Sequence, residues 1–73
     1  MVGPYVSIEL KEKNRGFRVK TYRELKLNMK TYLEESYNNK VNVYRTRRGE
    51  WGEWFEHWRL VNGKPEITEQ GWC

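Results

Sequence analysis

Alanine and aspartate are absent from this chain, and cysteine occurs once, as Cys73. Without Ala, a helix has few small side chains through which to approach a neighbour closely. Without Asp, the chain lacks a carboxylate widely used in metal sites and catalytic triads. A single Cys leaves no partner for an intramolecular disulfide. One Cys and one His, His57, fall short of the four ligands that structural zinc takes. No apolar run approaches the ~18–20 residues of a membrane span, and the opening residues do not read as a signal peptide. These absences lead to the expectation of a cytoplasmic, reduced protein with no metal, no cofactor and no membrane association.

What is present is aromatic and charged. The 73 residues include four Trp, five Tyr and two Phe. That length allows one domain, which buries only about 60% of the surface its unfolded chain exposes. With no disulfide or metal to staple it, stability must come from side chains that each bury roughly 150–250 Å². The net charge is +4. Residues 1–33 hold eight Lys or Arg against three Glu, hence +5; residues 34–73 hold six against seven, hence −1. The basic character therefore belongs to the first half, while three of the four Trp cluster in the second.

Residues 5–11 alternate, with Val6, Ile8 and Leu10 on one side and Tyr5, Ser7, Glu9 and Lys11 on the other, the mark of a half-buried strand. Residues 13–16, Lys-Asn-Arg-Gly, read as a turn, and Phe17 and Val19 resume the apolar side, so a β-hairpin is expected. From Tyr22 the period becomes helical, through Leu25, Met29, Tyr32, Leu33 and Ser36. Thr21 is the N-cap, with Glu24 three residues on, and Asn38-Asn39 closes a helix over about 22–37. A third strand runs from Val41 to about Arg48, and Gly49 and Gly52 bracket a turn. Residues 50–61 fit two patterns. Trp51, Trp54, Phe55 and Trp58 have helical spacing, yet the segment is rich in strand formers and Asn62-Gly63 is a strong hairpin signal. The strand is favoured, because Gly52 is costly inside a helix and only a strand gives residues 64–68 a partner, with Pro65 confining them to an edge. The expected fold is α+β: one largely antiparallel sheet with a single helix on one face, in the order β-β-α-β-β-β. Residues 69–73 are expected to fray unless Trp72 docks.

Catalysis finds little support. A strand His57 shares a face with Phe55, Arg59 and Val61, none of them a nucleophile. Glu50, Glu53 and Glu56 have the chemistry of an acid–base pair but sit in a chain too short for a deep cleft. No catalytic residue is assigned, and a non-enzymatic binding protein is expected. Trp, Tyr and Arg are enriched at interface hot spots. Tyr44, Arg45, Arg47, Arg48 and Trp51 therefore form the expected protein-binding surface, with Trp51 least able to be buried by its own fold. The alternative is DNA or RNA, held by the hairpin residues Arg15, Arg18 and Lys20 and the helix stripe Arg23, Lys26 and Lys30. Nothing in the sequence sets the oligomeric state.

The run Arg47-Arg48-Gly49-Glu50-Trp51-Gly52-Glu53-Trp54-Phe55-Glu56, in a short chain rich in Tyr, Asn, Lys and Glu, resembles small uncharacterised bacteriophage proteins. The resemblance implies a viral accessory protein that acts in the host cytoplasm by binding a host protein. It transfers no catalytic or binding residue.

Overall fold

The computed structural model describes residues 4–46 and 53–72. Five strands and one helix follow in the order β1 (Tyr5–Glu9), β2 (Asn14–Arg18), α1 (Tyr22–Glu35), β3 (Lys40–Thr46), β4 (Glu53–Val61) and β5 (Lys64–Trp72). The strands form one antiparallel sheet in the order β2-β1-β3-β4-β5. This is the α+β architecture expected from the periodicities.

Strand alternation decides which side chains meet the helix. Val6 and Ile8 on β1, Val41 and Val43 on β3, and Trp58 on β4 are buried beneath Leu25, Met29 and Leu33 of α1. The three helix residues recur every four positions and form one stripe. Each is fully buried, which stabilises the fold by about 1.5–3 kcal/mol per side chain. Leu10, Phe17, Leu60 and Ile67 pack at the margin of this core.

Local chemistry fixes the helix ends. Thr21 Oγ1 accepts from the Glu24 amide at 3.1 Å, satisfying one of the orphan donors of the first turn. The helix stops at Glu35, two residues before the expected end. Ser36 caps it, with its hydroxyl buried and donating to the Lys40 carbonyl at 2.7 Å. Asn39 takes a positive φ of 53° and donates through Nδ2 to the Leu33 carbonyl at 2.9 Å. Both interactions tie the end of α1 to the start of β3.

Residues 53–61 are strand, not helix. Asn62 and Gly63 have φ of 53° and 76°, the left-handed pair that a two-residue hairpin turn demands. The first hairpin differs from expectation. Its turn lies at 10–13, closed by the Leu10 amide on the Lys13 carbonyl at 2.8 Å, and Asn14, Arg15 and Gly16 belong to β2. Gly16 serves a different purpose: the Tyr5 hydroxyl occupies the space where a Cβ would stand. At the other end β5 continues to Trp72, which packs edge-on against Trp54 at 5.4 Å. Residues 69–72 are thus paired strand rather than a frayed tail.

Candidate functional site

Trp54, Glu56 and Trp58 alternate along β4 and face the helix together. Glu56 is only 2% exposed. A buried carboxylate is costly unless its oxygens are satisfied, and here every neighbour is a donor. Trp58 Nε1 donates to Oε1 at 2.9 Å, and Trp54 Nε1 donates to Oε2 at 2.9 Å. The Tyr22 hydroxyl donates between the two oxygens, at 2.8 and 3.0 Å. Arg45 Nη1 lies 3.9 Å from Oε2, and its guanidinium sits 4.0 Å from the centre of the Tyr22 ring. Burial pushes the Tyr22 phenol up to about 12, helped by its hydrogen bond to Glu56 and the field of that carboxylate, and opposed by Arg45. With its lone pairs occupied, Glu56 is a positioning group. It fixes the indoles of Trp54 and Trp58 and the phenol of Tyr22.

That fixing has an outward consequence. Arg45, Trp54 and Trp72 are register partners across β3, β4 and β5. They form a row on the helix side of the sheet, beside the first residue of α1. Tyr22 joins the row through Arg45, and Lys26 Nζ reaches within 5.4 Å of the same ring. Trp72 is 47% exposed and the Arg45 side chain 41%. A Trp/Arg-rich surface is therefore present, built in part from residues that sequence reasoning did not choose. Thr46 pairs with Glu53 at this end of the sheet. The expected site residues Arg47, Arg48 and Trp51 lie outside the described residues.

The expected protein-binding set does not share one surface. Arg45 faces the helix side, whereas Tyr44, its neighbour in an extended strand, faces the helix-free side and meets Tyr5 at 6.4 Å. Phe55 also points to the helix-free side, with His57 at 5.2 Å. Of the four β4 aromatics, Trp58 is core, Trp54 half-buried beside it, and Phe55 and His57 line the opposite face.

The expected nucleic-acid set is likewise divided. Arg15 faces the helix side, over the Phe17 ring at 5.9 Å, in a small cleft of about 190 Å³ with Tyr32 and Glu35. Arg18 faces the helix-free side, over Tyr5 at 5.6 Å. Lys20 lies in the link to α1, and Arg23, Lys26 and Lys30 are exposed along the helix. These six side chains make no single patch. Glu56 presents no exposed charge beside the Trp residues, because its carboxylate is buried among donors.

A second recess lies on the helix-free face. Its volume is about 370 Å³, and Lys40, Asn42, His57, Trp58, Arg59 and Thr68 line it. A register shift between His57 and Trp58 opens it: His57 pairs with Glu69 and Trp58 with Ile67, leaving Thr68 as an extra residue whose hydroxyl donates to the His57 carbonyl at 3.2 Å. Among the described residues no three His, Cys, Asp or Glu side chains gather to hold a metal, and no helix is long and apolar enough to cross a membrane. No family model, curated protein or solved structure matches this chain.

Proposed function

We propose that this chain is a small non-enzymatic binding protein that recognises a protein partner through the row Arg45, Trp54 and Trp72, flanked by Tyr22 and Lys26. The observation that carries this reading is the buried Glu56. It holds Trp54 and Tyr22 in fixed orientations while Trp72 and Arg45 stay accessible. Preorganised aromatic and Arg side chains lose little entropy on association and supply most hot-spot energy. Lys26 and Arg45, both against the Tyr22 ring, make the rim cationic, so the fitting partner offers an apolar hollow for Trp72 with carboxylates around it. Arg47, Arg48 and Trp51, which lie outside the described residues, complete the proposed binding set on their chemistry alone. The resemblance of residues 47–56 to bacteriophage proteins supports a viral accessory protein acting on a host protein in the host cytoplasm.

The test compares immobilised wild type, Trp72→Ala and the double variant Lys40→Glu/Arg59→Glu in a nuclease-treated bacterial lysate, read by quantitative mass spectrometry. A protein held by wild type and by the double variant, but reduced at least tenfold by Trp72→Ala, is the expected result. If Trp72→Ala retains every protein that wild type retains, this reading fails.

A further inference from the structure

The helix-free face of the sheet has a chemistry of its own. One register row across it reads Arg18, Tyr5, Tyr44, Phe55 and Gly71. The glycine at 16 lets the Tyr5 ring lie down along the sheet, and Gly71 leaves the Phe55 ring uncovered on the β5 side, where an added Cβ would stand 3.5 Å from it. The three rings stand on adjacent strands about 4.8 Å apart, with the Arg18 guanidinium over the first.

Four residues along β4 from Phe55, about 13 Å away, two cations face each other. Lys40 and Arg59 are direct register partners. Like charges directly opposite on adjacent strands are destabilising. Neither has an ion-pair partner among the described residues, although Glu9, Glu66 and Glu69 occupy the same face. Glu69 lies 3.6 Å from His57 Nδ1. The juxtaposed cations line the 370 Å³ recess with the amide of Asn42 and the imidazole of His57, while the Thr68 hydroxyl at its wall already donates to the His57 carbonyl. Such a lining of donors around two unpaired cations suits an anion with several acceptor oxygens.

We propose that the helix-free face binds single-stranded nucleic acid, with a phosphate held between Lys40 and Arg59 and bases stacked on Phe55, Tyr44 and Tyr5. The combination of an unpaired cation pair and a line of partly exposed rings selects this occupant. Backbone phosphate needs the first, and splayed bases need the second. Duplex DNA or RNA fits poorly, because its bases are already stacked and cannot reach the rings. This surface is separate from the Trp/Arg row, and neither reading rests on the other.

The test is fluorescence anisotropy with a labelled twelve-residue oligothymidylate, the matching oligouridylate and a duplex of equal length. With one phosphate shared by Lys40 and Arg59 and a second beside Arg18, a slope near −0.7 per phosphate gives roughly sevenfold weaker binding between ~50 and ~200 mM salt. Lys40→Glu/Arg59→Glu is expected to weaken binding at least tenfold and flatten that slope. Phe55→Ala and Tyr44→Leu should each weaken it at least fivefold, with the fold checked by circular dichroism. Charge reversal of Arg23, Lys26 and Lys30 on the helix should change affinity less than threefold. The proposal is overturned if wild type binds neither oligonucleotide at ~50 mM salt. It is equally overturned if the duplex binds as tightly, if the helix variant rather than the recess variant abolishes binding, or if polyglutamate of equal charge competes as well as the oligonucleotide.

Discussion

Replacing Glu56 with Gln changes one oxygen for an amino group and keeps the shape. The two oxygens differ in their partners: Oε1 accepts from Trp58, and Oε2 accepts from Trp54. Whichever way the amide turns, its NH2 faces an indole N–H. If it replaces Oε1, the buried Trp58 donor is orphaned; if it replaces Oε2, Trp54 is. Tyr22 can turn its hydroxyl to accept, so it adapts. The cost combines one unsatisfied donor, about 1–3 kcal/mol, with one lost charge-assisted bond of about 1.5–3 kcal/mol. A destabilisation of roughly 3–5 kcal/mol follows, a large part of the ~4–11 kcal/mol expected for a domain of this length. Urea unfolding followed by Trp fluorescence reads it directly. With a slope of about 1–2 kcal/mol per molar, the midpoint should drop by about 1.5 M or more, or the variant should be unfolded without urea. A midpoint within 0.3 M of wild type would refute the hydrogen-bonded role given to Glu56.

Other perturbations probe the same framework. The Tyr22 phenol is pushed up to about 12 in the fold against an ordinary value of 10, so its contribution is present below pH 10 and is lost as pH rises through 12. Wild type should therefore lose stability more steeply than Tyr22→Phe between pH 10 and 12; parallel curves would remove the shift. Trp58→Ala truncates the core and should cost about 3–5 kcal/mol, whereas Trp72→Ala removes a half-exposed side chain whose edge contact with Trp54 is worth about 0.5–1.5 kcal/mol and should cost less; equal thermal shifts would contradict the division between core and surface Trp. No atom lies within 4 Å of a Cβ added at Gly63, where φ is +76°. Gly63→Ala should therefore cost only the backbone penalty, about 1–2 kcal/mol, and an unchanged melting temperature would argue against the left-handed turn.

Much of the fold was legible because periodicity reports burial. Val6 and Ile8 alternate, Leu25, Met29 and Leu33 recur at helical spacing, and Asn62-Gly63 fits only a tight hairpin. The first turn was misplaced because Asn-Arg-Gly looks like a turn by composition. Gly16 in fact answers a tertiary demand, the Tyr5 hydroxyl lying against it, which no local pattern carries. Glu56 was passed over for a related reason: a carboxylate reads as outward. Once 54–61 is taken as a strand with Trp58 inside, alternation forces residue 56 inside as well, and flanking indoles are the donors it needs. That signal was in the sequence. The row of Arg45, Trp54 and Trp72 was not, since it depends on β5 reaching Trp72 in a register set by the extra residue Thr68. The recess at Lys40 and Arg59 depends on the same bulge.

Hydroxyl-radical footprinting of the complex captured from lysate, resolved by peptide mass spectrometry, tests the central claim most directly. The Trp/Arg row as the protein-docking surface predicts that Trp72 and Tyr22 are shielded in the complex while Tyr44 and Phe55 label as in the free chain. Undiminished labelling of Trp72, with protection of Tyr44 and Phe55 instead, would place the partner on the helix-free face and contradict the account.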